Sequence, residues 1–92
     1  MKIAVIGGGP SGVMSAITAA QNGADVTLFD KNEKIGKKLY ISGKGRCNLT
    51  NNCAPQEFLT NVVNNGKFLY GSIFKFTPSD AMDFCERHGL AL

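Results

Sequence analysis

With 92 residues, 43% hydrophobic and 18% charged side chains, and no repeat or low-complexity tract, the chain has the composition of a globular protein. That argues against a low-complexity or repeat architecture. The net charge of +3 is modest, and three cysteines without a C-x-x-C pair (Cys47, Cys53, Cys85) fit neither a secreted disulfide framework nor a zinc site. No apolar run approaches the ~20 residues a membrane helix needs. The run Ile3 to Ile6 is too short and glycine-broken for a secretory signal, so the expectation is a cytoplasmic protein.

Lys2-Ile3-Ala4-Val5-Ile6 is β-branched and nearly all apolar, the pattern of a strand buried on both faces of a parallel sheet. Glycines follow at once at the spacing G-x-G-x-x-G: Gly7, Gly9 and Gly12, with Pro10 and Ser11 between the last two. Val13 to Asn22 is small and apolar, reads as a helix, and closes on Gly23 as its C′ residue. Asp25 to Phe29 reads as a second strand, ending on the acid Asp30, 18 residues beyond Gly12. Each part has a chemical reason to be there. Gly7 allows a tight turn, Gly9 lets a pyrophosphate approach the backbone, and Gly12 lets the helix pack close to the sheet. The helix N-terminus offers unpaired N–H groups to phosphate, and Asp30 is placed to accept hydrogen bonds from ribose hydroxyls. A carboxylate there disfavours a 2′-phosphorylated ribose. The expectation is an α/β fold containing a Rossmann-like, dinucleotide-binding βαβ unit.

Domains of that kind usually need roughly 150 residues or more, so the expectation extends to an incomplete domain, the N-terminal part of a longer protein. Two strands with unfinished faces would leave apolar surface exposed.

After Asp30, six of the ten basic residues (Lys31, Lys34, Lys37, Lys38, Lys44, Arg46) fall within sixteen positions. Their place directly after the glycine fingerprint points to phosphate for part of the cluster, with the outward lysines open to nucleic acid. Lys31 to Lys38 reads as a polar turn, and Leu39-Tyr40-Ile41 as a brief apolar run. Ser42 to Asn52 is too rich in glycine and amides for a helix interior or regular strand, and has the parts of an anion nest. It is not a Walker loop, since Gly45 follows Lys44 where Ser or Thr is required and Lys38 stands where that motif has Gly. Pro55 to Val63 reads as a helix broken by Asn64-Asn65-Gly66, and Lys67 to Phe76 is assigned as helical over strand. Thr77 or Ser79 caps a last helix, Pro78 to His88, ended by Gly89. The aromatics Phe68, Tyr70, Phe74 and Phe76 are expected in a core, and His88 suits a helix C-terminus without a catalytic role.

The run V-I-G-G-G-P-S-G together with D-K-N-E-K-I-G-K-K-L-Y-I-S-G-K-G-R-C-N-L-T-N resembles the BaiN/RdsA family of bacterial FAD-dependent oxidoreductases, also described as aminoacetone-oxidase-like. The resemblance spans nearly the whole chain, and its most specific part is S-G-K-G-R-C-N-L-T-N, in which Lys44 replaces a glycine common in the family. It implies FAD bound extended, with its ADP half on this segment and reduced NAD(P)H as electron donor for an unsaturated or oxidised substrate. By similarity Gly7, Gly9 and Gly12 face the pyrophosphate, with Pro10 and Ser11 lining the turn, and Asp30 holds the adenosine ribose. Lys38, with Lys31 from the same basic segment, touches phosphate or ribose. Ser42, Gly43, Gly45, Arg46 and Asn48 approach the ribityl and flavin side. No general acid or base is named, and no metal is implied. Two other readings stay open: a flavin disulfide reductase using Cys47 and Cys53, and a nucleotide- or RNA-contacting module without catalysis. The first meets an obstacle in spacing, because five residues separate the two thiols where such enzymes have four.

Overall fold

The computed structural model describes residues 1–41 and 49–90, and the chain divides into two units, 1–48 and 49–92. In the first unit, β1 (Lys2–Ile6), α1 (Pro10–Gln21) and β2 (Asp25–Phe29) form the expected βαβ arrangement. The strands pair in parallel, Lys2 opposite Asp25 through Ile6 opposite Phe29. The ladder is extended at both ends, where Asp25 N–H donates to the Met1 carbonyl (2.9 Å) and Gly7 N–H to the Phe29 carbonyl (2.7 Å).

Side chains alternate across a strand, so this register sorts Ile3, Val5, Val26 and Leu28 onto one face and Ala4, Ile6, Thr27 and Phe29 onto the other. The first set is half-buried; the second is exposed, Ile6 at 80% and Phe29 at 52%. This corrects the expectation of a strand buried on both faces. α1 packs on both strands, and among the described residues nothing covers the opposite face. Each half-buried aliphatic contributes about 1 kcal/mol through the area it removes from water.

α1 ends as the sequence predicts. Gly23, at φ +90°, donates to the Ala20 carbonyl (3.0 Å), and Ala24 N–H reaches back to the Ala19 carbonyl (3.1 Å). These two bonds satisfy carbonyls that the last turn would otherwise leave unpaired. The stretch read as a turn and an apolar run becomes in part a short helix, α2 (Lys37–Ile41), whose first turn is anchored by Tyr40 N–H donating to the Gly36 carbonyl (2.9 Å).

The second unit is helical. α3 (Pro55–Thr60) stops earlier than its apolar pattern suggests, because Thr60 Oγ1 and Asn61 Nδ2 both donate to the Glu57 carbonyl (2.7 and 2.9 Å) and close the helix there. Asn65 takes a left-handed conformation (φ 57°) and leads into a 3-10 turn, Gly66–Leu69, which runs on into α4 (Tyr70–Lys75). The helical assignment of 67–76 therefore holds. The aromatics do not form the expected core. Tyr70 and Phe74 stack at 4.7 Å, yet Phe68 is 86% exposed and Phe76 45%, although α3, the 3-10 turn and α4 pack on one another. Among the described residues no hydrophobic side chain is fully buried.

α5 (Pro78–Arg87) is capped by Thr77 rather than Ser79. Asp80 N–H donates to Thr77 Oγ1 (3.1 Å) and Thr77 N–H to Asp80 Oδ2 (2.9 Å), so two orphan donors are satisfied reciprocally. The bond from the Thr77 backbone holds the Asp80 carboxyl below its ordinary range. His88 lies at the C-terminal end with Nδ1 2.7 Å from the Phe84 carbonyl oxygen. Thr77→Ala removes one half of the cap and is expected to cost about 1 kcal/mol, read as faster amide exchange confined to the first turn of α5.

Candidate functional site

The site is built where β1 runs into α1. The chain leaves the sheet at Gly7 with φ +103°, a conformation that favours glycine. At Gly12 an added Cβ would collide with the Gly7 carbonyl and sit 3.7 Å from Val5 Cγ1. Position 12 is therefore closed to side chains by the protein's own backbone, and that is what allows α1 to lie against β1. Gly9 is different. It is the N-cap of α1 at φ −77°, which any residue can adopt, and an added Cβ there would meet nothing within 4 Å. Nothing inside the described residues requires glycine at this position, and the space in front of it is open.

Pro10 occupies the first turn of α1, where its missing N–H costs nothing. Ser11 is exposed. The first-turn amides of Ser11 and Gly12 have no acceptor within the helix, and no acidic side chain stands in that turn. A partial positive charge therefore faces outward beside Gly9, suited to an anion.

Asp30 follows β2 and is half-buried. Its Oδ1 accepts from Asn32 N–H (2.7 Å) and its Oδ2 from Gly8 N–H (2.6 Å). These two backbone donors, Asn32 first, hold the carboxyl below its ordinary range, with a smaller contribution from Lys31. A carboxylate has about four lone-pair sites, so two donors leave capacity for hydroxyls approaching from outside. The sequence placed Asp30 at the loop on strand arithmetic alone. It did not show that the carboxylate ties the glycine loop down.

The segment after Asp30 forms a cleft of about 560 Å³ lined by Asn32, Glu33, Lys34, Ile35, Lys37 and Tyr40. Lys31 and Lys38 are exposed on the same stretch. Ser42, Gly43, Lys44, Gly45, Arg46, Cys47 and Asn48 lie outside the described residues, which leaves the anion-nest reading and the Cys47–Cys53 pair without a geometric counterpart. Cys53 and Cys85 are half-buried free thiols in the second unit. Among the described residues no group of His, Cys, Asp and Glu is arranged to hold a metal ion, and no helix is long and apolar enough to cross a membrane.

Sequence reasoning passed over Gly8, which the G-x-G-x-x-G spacing treats as a free position. It is buried, and both its N–H and its carbonyl are paired. The available signal was the third consecutive glycine, where the fingerprint asks for only two.

All 92 residues match the model of the HI0933-like protein Rossmann domain. The chain belongs to the HI0933-like Rossmann family. Its relatives include the 3-dehydro-bile acid delta(4,6)-reductase of Clostridium scindens, 40% identical in an 88-position alignment that covers 85% of this chain and 21% of the relative. The ribosomal RNA dihydrouridine synthase of Escherichia coli is 36% identical over 88 residues, 95% of this chain and 21% of the relative. That of Haemophilus influenzae is 33% identical over 87 residues, 94% and 21%. The HI0933-like chain thus spans about a fifth of the length of these relatives. The resemblance to BaiN/RdsA-type flavoproteins and the Rossmann-like α/β assignment both hold.

Proposed function

We propose that this Rossmann segment binds the ADP half of FAD in a flavin-dependent oxidoreductase. The observation that carries this reading is the contrast between Gly12, which the chain itself requires, and Gly9, which it does not. An open, side-chain-free approach beside the N-terminus of α1 suits a pyrophosphate, and the remaining acceptor capacity of Asp30 suits the adenosine ribose. In this reading Gly7, Gly9, Pro10, Ser11 and Gly12 shape the phosphate-facing turn, with Lys31 and Lys38 adding positive charge to its surroundings. Ser42, Gly43, Gly45, Arg46 and Asn48 serve the flavin side.

The chemistry supplied at such a site by bound FAD is hydride transfer, with reduced NAD(P)H as donor and an unsaturated compound as acceptor. The reductase and dihydrouridine synthase names among the relatives support reduction of a double bond. The protein's own residues bind and orient the cofactor. The test is the visible spectrum of the protein expressed from its gene, with the acid-released cofactor identified by chromatography. Released FAD supports the reading. A colourless protein that takes up no added FAD sinks it.

A second reading is favoured by one observation. Lys31, Lys34, Lys37 and Lys38 are exposed beside Tyr40, itself 88% exposed, in a chain whose relatives include enzymes named for ribosomal RNA. An RNA-contacting module without catalysis would show RNA binding that falls steeply with salt, and no flavin.

A further inference from the structure

We infer that Gly8 is the pivot of a clamp joining the glycine loop to segment 30–36, with Asp30 and Ile35 as positioning residues that set the dinucleotide site before any ligand arrives. Its consequence for cofactor binding rests on the flavin reading above; the clamp itself does not.

Among the described residues only Gly8 and Pro78 are buried, and the side chains of Asp30 and Ile35 stand over Gly8. Its N–H donates to Asp30 Oδ2 (2.6 Å), and its carbonyl accepts from Gly36 N–H (2.7 Å). Between these two bonds the Ile35 side chain lies against its Cα. An added Cβ would fall 2.8 Å from Ile35 Cγ2, 2.9 Å from Ile35 Cβ and 2.8 Å from Asp30 Oδ2. Position 8 is therefore glycine because residues 30–36 close over it, a reason unrelated to the spacing of the fingerprint.

The clamp has internal bracing. Asp30 Oδ1 accepts from Asn32 N–H (2.7 Å), which turns the chain immediately after β2. Gly36 bends it again at φ +73°, and its carbonyl then accepts from Tyr40 N–H (2.9 Å) to start α2. A continuous path of hydrogen bonds thus runs from the loop before α1, through Gly8 and Gly36, into α2. It fixes the backbone that carries Lys37 and Lys38 relative to the open N-terminus of α1. A site arranged in advance spends less ordering free energy on binding, so loosening the clamp through Ile35, to which no ligand contact is assigned, weakens ligand binding.

The alternative is that Asp30 acts on ligand alone and its two amide contacts carry no mechanical coupling. Hydrogen exchange at single-residue resolution on the cofactor-free full protein separates the two. Asp30→Ala should speed exchange at Gly36 at least tenfold, although Asp30 makes no bond to that amide, while Ala24 at the end of α1 stays protected. Unchanged exchange at Gly36 overturns the clamp. If Ala24 also opens, the substitution has disturbed the unit, and Ile35→Ala decides instead, since it deletes only the side chain over Gly8. It should speed exchange at Gly8 and Gly36 together, and no change at either overturns the proposal. The flavin reading is judged separately, by cofactor released from the unsubstituted protein. A colourless protein with coupled Gly8 and Gly36 amides would keep the clamp and remove the flavin.

Discussion

Gly12→Ala is expected to give a protein that retains no flavin and is less stable by about 3 kcal/mol, the upper end of the usual cost of overpacking. The new methyl group would be driven into the Gly7 carbonyl, a backbone atom at the end of a paired strand that has no rotamer to escape into. Relief requires α1 to lift from β1. That movement uncovers Val5 and its neighbours on the one covered face and displaces the first-turn amides from the open space at Gly9. Gly9→Ala is the paired control. Its φ of −77° accommodates alanine, and the methyl would point into empty space, so folding stability should stay within about 0.5 kcal/mol of the original. FAD affinity should nonetheless fall about tenfold, because the methyl would stand where the proposed flavin reading has the pyrophosphate approach. Denaturant titration and flavin fluorescence on both variants check the pair. Equal stability of Gly12→Ala and the parent would refute the packing argument, and unchanged FAD affinity of Gly9→Ala would refute the phosphate assignment.

The contrast between these two glycines shows what was legible in the sequence. G-x-G-x-x-G after a β-branched run, with an acid at the end of the next strand, specifies β1, the turn, α1 and β2, because each step is encoded within a few residues of where it occurs. Gly23 was legible for the same local reason, and Thr77 as one of two candidate caps, the other being Ser79. Gly8 was not. Its burial arises from Asp30, Ile35 and Gly36, more than twenty residues away, and no periodicity links them. The open sheet face was misread for a related cause. The β1 run is apolar at nearly every position, as befits a strand covered on both sides, yet α1 supplies only one cover. The exposed aromatics of the second unit follow the same rule: pattern records what a residue is suited to bury against, while burial depends on which elements are there to meet it.

Lowering the pH should leave the Asp30 contacts intact down to about pH 4 and dissolve them below it. The Asp30 carboxyl is held under its ordinary value of 3.8, chiefly by Asn32 N–H and then by Gly8 N–H, which favour the ionised form in the folded protein. A carboxyl depressed on folding contributes stability that is complete above its unfolded value and is lost as pH falls through its folded value. The window for Asp30 therefore lies below pH 3.8, and neutral-pH changes should not touch it. Asp80 is depressed in the same sense by Thr77, so a global acid unfolding curve would mix the cap of α5 with the loop. The carboxyl carbon resonance of Asp30 reads the group directly, and its midpoint is expected below 3.8; a midpoint at or above that value would show that the two amides do not bind the anion. Asp30→Asn supplies the complementary result. Its amide oxygen can still accept, but its NH₂ cannot, so one of the two backbone donors loses its partner at every pH. That variant should show near pH 7 the weakened flavin retention expected of the parent only in acid, and the loss should no longer follow the titration of residue 30. Because Asp30 stays anionic throughout the physiological range, the ribose contact proposed for it carries a further expectation: a dinucleotide with a 2′-phosphate on that ribose should compete poorly with FAD in the parent protein and gain ground once the charge is removed.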